Sequence, residues 1–277
     1  MHPTSYLLLW LFLGLLAGCA TGPVASKNWP KHECGNIPGV EDASYCYDES
    51  APGATDVLFF FHGLKDSKEV WVKPTSVPSD YPALIAAMPA MRIITISFGD
   101  GWLLTNYPAR SKVPRAATLD NFRGKILPYL ENKYGLKPPY KGLSHSMGGA
   151  NLAVLWAAYP EMWKSVTLLN PAMITKATDP WDFLQICPWC LMVKANFDNR
   201  KQWNAGSPIG LVDAANPGLP PIHITACESD LIFWLYDGTK EFRNHAKVKS
   251  NSVDWHDGEP GCSHWNFDVP WVMRSLR

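Results

Sequence analysis

The sequence has no excess of charge of either sign. Its 25 Lys and Arg are balanced by 25 Asp and Glu, and no basic stripe gathers anywhere along it. A phosphate backbone is held by clustered cations, so nucleic acid is excluded as a partner. Heptads, internal repeats and low-complexity tracts are missing as well, which sets aside coiled coils and solenoids. No pair of His or Cys residues has the spacing of a zinc site, and no metal is expected. The apolar run near the N-terminus, Tyr6 to Ala17, is only twelve residues long. That is too short for a stable membrane-spanning helix and has the length of a signal-peptide core.

The run ends in Leu16-Ala17-Gly18-Cys19, which resembles the lipobox of bacterial lipoproteins, although no Lys or Arg precedes the run. The resemblance implies a cleaved signal peptide over residues 1–18 and lipid on Cys19. Lipid there would tether the protein to a bacterial membrane without spanning it, as a periplasmic or cell-surface lipoprotein. Six further cysteines, Cys34, Cys46, Cys187, Cys190, Cys227 and Cys262, form an even set in an exported chain and suggest disulfides. Proximity suggests Cys34–Cys46 and Cys187–Cys190, leaving Cys227–Cys262. Cys187-Pro188-Trp189-Cys190 lacks the strand-then-helix setting of a redox pair and reads as a structural loop closure.

Residues 19–51 read as a tether and an N-terminal extension pinned by Cys34 and Cys46, with a single domain over 52–277. Asp56 to Phe61 is a continuous apolar run suited to a strand buried on both faces, and Arg92 to Phe98 is a second buried-strand candidate. Lys141 to Ser144, Lys164 to Leu169, Pro221 to Ala226 and Ser252 to His256 are further strands. Helices are expected at Tyr81 to Met88, at Thr118 to Tyr134 (with a kink at Pro128) and around Tyr236 to His245. This alternation predicts an α/β fold with a mostly parallel central sheet flanked by helices. Residues 171–220, with Trp181, Trp189 and Trp203, break the rhythm. They are either a lid-like insertion or a long packed connection.

The stretch Ser144-His145-Ser146-Met147-Gly148-Gly149 reads as small-x-Ser-x-Gly, a nucleophile elbow centred on Ser146. So sharp a turn needs small residues two before and two after the serine, here Ser144 and Gly148. A rival frame makes Ser144 the nucleophile, but only the Ser146 frame is followed by two glycines. A serine hydroxyl needs a base, and the base an orienting acid. The loop after Pro221 to Ala226 offers Asp230, with Glu228 as the fallback. The loop after the last strand offers His264, with His256 as rival. His62 belongs to a strand-end motif, and the side chain of His145 is expected to point away from the serine. Backbone N–H groups of Leu64 and Met147 are the expected oxyanion donors. A Cys227–Cys262 disulfide would tie the acid loop to the histidine loop.

Phe59-Phe60-Phe61-His62-Gly63-Leu64, the Ser146 elbow, Asp230 and Gly261-Cys262-Ser263-His264-Trp265 together resemble the esterase D-like branch of the α/β-hydrolase superfamily. S-formylglutathione hydrolases, feruloyl esterases and the antigen 85 mycolyltransferases belong to that branch. Ser97-Phe98-Gly99-Asp100-Gly101-Trp102 resembles its loop beside the acyl site, whereas Ser144 departs from its first elbow glycine. The resemblance implies a serine carboxylesterase with a Ser146–His264–Asp230 triad, no cofactor, and a small-molecule or glycan-linked ester as substrate. Acyl transfer to a glycan or lipid is the alternative within the branch. A carbohydrate-binding surface lipoprotein, using some of the thirteen tryptophans, is the alternative outside catalysis.

Overall fold

The computed structural model describes residues 29–41, 43–64, 66–72, 79–99, 118–174, 197, 199–230 and 234–277. Eight strands form one sheet in the order β1-β2-β4-β3-β5-β6-β7-β8. They are β1 (Lys31–Asn36), β2 (Ser44–Glu49), β3 (Val57–Phe61), β4 (Arg92–Ser97), β5 (Tyr140–His145), β6 (Trp163–Leu169), β7 (Ile222–Ala226) and β8 (Val253–Asp257). From β4 to β8 every pairing is parallel, while β1–β2 and β2–β4 are antiparallel. The expected α/β architecture is therefore present, and each apolar run expected as a strand forms one.

Both faces of the sheet are covered, as parallel strands require. In β3, Val57, Phe59 and Phe61 pack into one apolar cluster, and Leu58 and Phe60 into another. Five helices and helical segments accompany the first cluster. Leu119–Asn121, Phe122–Ile126 and Leu127–Tyr134 run on as one helix, α2. The others are α3 (Met147–Ala158), α4 (Arg200–Gly206), α5 (Pro208–Ala214) and α6 (Trp234–Lys249). On the opposite face α1 (Tyr81–Ala87) packs with α7 (Val269–Ser275).

Three expectations change. The kink at Pro128 takes the form of a π-helical turn, Phe122–Ile126, ahead of the proline. The wider turn accommodates a residue that has no N–H and would crowd the carbonyl four before it. Thr118 caps this helix, its Oγ1 accepting from Asn121 N–H at 3.1 Å. Secondly, residues 31–49 are not an extension outside a domain beginning at 52, because β1 and β2 are strands of the same sheet. Charged and half-exposed side chains in β1 conceal its strand character, as is common at sheet edges.

Thirdly, the 171–220 segment divides. Residues 175–196 and 198, with Trp181 and Trp189, lie outside the described residues. From residue 199 to 220 the chain is a packed β6–β7 crossover rather than a lid. In it, α5 rests on α3 and α6, and Trp203 is buried against Phe197 with ring centroids 5.3 Å apart.

Candidate active site

A parallel sheet brings the ends of successive strands to one edge, and there the expected residues gather. All six residues of β5 are buried. The chain then turns at Ser146 with φ 52° and ψ −119° into α3, which starts at Met147. This left-handed conformation is costly for a residue with a side chain and persists only where its surroundings hold it. Ser146 N–H donates to the carbonyl of Leu169 at the end of β6, at 3.0 Å. The Ser146 carbonyl accepts from Gly149 N–H at 2.9 Å and from Ala172 N–H at 2.8 Å. The elbow is thus fastened by the neighbouring strand, the helix and the loop beyond β6.

Glycines make that geometry possible. A Cβ on Gly148 would lie 2.0 Å from the carbonyl oxygen of Phe61, and one on Gly149 would lie 2.3 Å from Cβ of Pro171. On Gly63 it would meet Ser146 Cβ at 3.3 Å, so the turn after β3 lies directly against the elbow. Ser144, the rival frame, is a regular strand residue with no exposure, its Oγ directed to the Thr167 carbonyl at 3.4 Å. The elbow conformation belongs to Ser146 alone.

Beyond β7, Asp230 closes a turn by donating its N–H to the carbonyl of Cys227 at 3.2 Å. Its Oδ2 lies 2.7 Å from His264 Nδ1, and the two side chains are only 2% and 3% exposed. Glu228 is exposed, which leaves it out of the site. His264 Nε2 is buried and has no hydrogen-bond partner among the described residues. Burial holds the His264 imidazole below its ordinary pKa, with His145 adding to the effect and Asp230 opposing it. The ring is therefore kept neutral, with Nδ1–H donating to Asp230 and the Nε2 lone pair unengaged.

His256, the rival base, is occupied elsewhere. Its Nε2 lies 3.3 Å from Asp268 Oδ2 and its ring stacks on Trp271. His62 Nδ1 donates to the Gly63 carbonyl at 2.8 Å. The Cys227–Cys262 disulfide is formed, joining the acid loop to the histidine loop, and so is Cys34–Cys46. Cys19, Cys187, Cys190 and the segment Asp100 to Trp102 lie outside the described residues. Leu64 sits in the turn after β3, beside Gly63. Met147 is the first residue of α3, where helix N–H groups have no intrahelical acceptor.

Two residues with clear structural work were not found by pattern. The His145 side chain packs behind the histidine loop, its ring 4.9 Å from that of His264. Its Nε2–H donates to the His264 carbonyl at 3.0 Å, while its Nδ1 accepts from Tyr81 O–H at 3.0 Å. Asn170, at φ 41°, donates from Nδ2 to the same carbonyl at 2.9 Å. The loop is also pinned to the start of α1, since Asp80 Oδ2 accepts from Phe267 N–H at 2.7 Å. The only sequence signal for His145 was its place beside the serine, and for Asn170 its place just past a strand.

No protein-family model and no curated protein sequence matches this chain. Solved structures do. The serine hydrolase FphF of Staphylococcus aureus aligns over 89% of this chain and 95% of its own, at 14% identity and a TM-score of 0.62. An S-formylglutathione hydrolase from Agrobacterium tumefaciens aligns over 90% and 96%, at 13% identity and a TM-score of 0.60. A ferulic acid esterase aligns over 90% and 96%, at 15% identity and a TM-score of 0.57. With the sheet order and the elbow, these likenesses show that the chain has the α/β-hydrolase fold.

Proposed function

We propose that the protein is a serine carboxylesterase that works through an acyl-enzyme on Ser146. One observation carries the reading: a buried Asp230–His264 hydrogen bond whose unengaged Nε2 shares a sheet edge with a strained serine elbow. The similar structures named as an S-formylglutathione hydrolase and a ferulic acid esterase support the same class of chemistry.

Ser146 Oγ attacks the ester carbonyl while His264 Nε2 takes its proton. Asp230 keeps the imidazole in the Nδ1–H tautomer and stabilises the imidazolium that forms. The carbonyl oxygen, now an anion, is held by the N–H groups of Met147 and Leu64. His264 returns the proton to the leaving alcohol, and the acyl group stays on Ser146. Water then attacks with His264 again as base, releasing the acid and restoring the serine. Two disulfides among the described residues support an oxidising, exported location. Lipid on Cys19 would hold the enzyme at a membrane.

The test is hydrolysis of short p-nitrophenyl esters by the exported chain. Ser146→Ala is expected to lower kcat by about 10⁵-fold or more. Ser144→Ala is expected to stay within a few-fold of the parent. An active Ser146→Ala protein, or a parent inert on every ester tried, would overturn the reading.

A further inference from the structure

At the β1 edge of the sheet, four strands from β5, the register assembles a second set of reactive side chains. In the antiparallel β1–β2 pair, His32 lies opposite Asp48 and Cys34 opposite Cys46. Residues two apart share a face of a strand, so the four side chains form a square on one face. No His or Cys spacing in the sequence announces this, because two of the members come from each strand.

The contacts within the square are those of a metal centre with a supporting acid. His32 Nδ1 lies 2.6 Å from Asp48 Oδ1, and His32 Nε2 lies 3.4 Å from Cys34 Sγ. The donor atoms of His32, Cys34 and Cys46 all lie within 4.8 Å of one another. Two ligands of a tetrahedral zinc ion, one nitrogen and one sulfur, would be about 3.6 Å apart given ordinary Zn–N and Zn–S bonds. Asp48 is wholly buried, and its Oδ2 has no hydrogen-bond partner among the described residues. Burying a carboxylate is costly. What this one does is fix the imidazole with Nδ1–H on the carboxylate and the Nε2 lone pair toward the sulfurs. A carboxylate behind a ligating histidine is the usual support of a zinc site.

We propose that reduction of the Cys34–Cys46 disulfide turns this square into a zinc site, with both thiolates and His32 Nε2 as ligands. A dithiol reductant supplies the two electrons and two protons. The S–S bond breaks, each cysteine becomes a thiol, and the reductant closes to its own disulfide. Zn²⁺ then displaces both thiol protons to solvent, and the freed sulfurs separate to about 3.8 Å as two zinc ligands. Cys34 and His32 are partly exposed, so reductant and ion both have access, and water can supply the fourth ligand. The strands keep their places without the disulfide, because β1 is paired to β2 at six positions and β2 in turn to β4.

The experiment uses the full chain with Cys19, Cys187 and Cys190 replaced by serine, reduced with a phosphine under argon and titrated with Co²⁺. One equivalent of Co²⁺ is expected to bind with thiolate charge-transfer absorption and tetrahedral d–d bands, and Zn²⁺ is expected to displace it. His32→Ala and Cys34→Ser are expected to abolish those bands, and Asp48→Asn to weaken affinity about 10-fold or more. Cys227→Ser is expected to leave them unchanged. Bands that survive Cys34→Ser or His32→Ala would overturn the site. So would their absence from a reduced protein with a native circular dichroism spectrum. Loss of that spectrum on reduction that Zn²⁺ does not restore would overturn it too.

Discussion

His264 is the residue whose chemistry depends most on where it lies. Its imidazole is 3% exposed, and burial penalises the charged form, so the ring takes up a proton only below the ordinary imidazole pKa of about 6.5. In the proposed mechanism His264 works as a base when neutral, so a lowered pKa delays the loss of activity as pH falls. The expected kcat/KM profile has an acid limb whose midpoint lies below about 6.5. An acid limb centred above it would contradict the buried, neutral ring. Asp230→Asn, which disturbs the tautomer, is expected to cost about 10⁴-fold in kcat. The same change at the exposed Glu228, to Gln, is expected to cost nothing. The Asp–His pair was legible from residue type and loop position. The parts of His145 and Asn170 were not, since each depends on a carbonyl nearly a hundred residues or more away.

At the scale of elements, the close approach of α3 to β3 decides whether the elbow exists. The built Cβ on Gly148 meets backbone, at 2.0 Å from the Phe61 oxygen, so no side-chain adjustment relieves it. Gly148→Ala is expected to destabilise by about 3 kcal/mol, read from the urea midpoint, and to remove activity along with it. Gly124 in the π turn has nothing within 4 Å of its built Cβ, and Gly124→Ala is the control that keeps stability. β3, a continuous apolar run, and β4, with three isoleucines in six residues, could be read directly from the chain. Their apolar side chains face helices on both sides; β3 holds no polar residue, and Thr95 and Ser97 of β4 are buried among its isoleucines. By contrast β1, with Lys31, His32 and Glu33, carries no such pattern, and only its pairing to β2 makes it a strand.

For the whole molecule, the parallel order of β4, β3, β5, β6, β7 and β8 carries the C-terminal ends of six strands to one edge. The Cys227–Cys262 bond then ties the β7 loop to the β8 loop across a separation of 35 residues. It lies three residues before Asp230 and two before His264, so it constrains the distance between those two side chains. Cys262→Ser is expected to lower stability by about 3–4 kcal/mol, through the freed chain entropy of the unfolded state. Its kcat is expected to fall with KM little changed, because the loose pair misorients the imidazole without touching the substrate site. Parent-like stability and kcat in that variant would show the bond to be incidental.

The sequence by itself determined the alternation of strands and helices, the Ser146 frame, and which loops hold Asp230 and His264. These rest on local requirements: apolar runs for buried strands, glycines for a sharp turn, and acid or base residues past strand ends. Only the tertiary structure decided that residues 31–49 join the sheet and that 199–220 form a packed crossover. It alone also placed His145 and Asn170 behind the histidine loop, and His32, Asp48, Cys34 and Cys46 on one face. Each of these depends on strand pairing or long-range hydrogen bonds, and the sequence carries no periodic trace of contacts between residues so far apart.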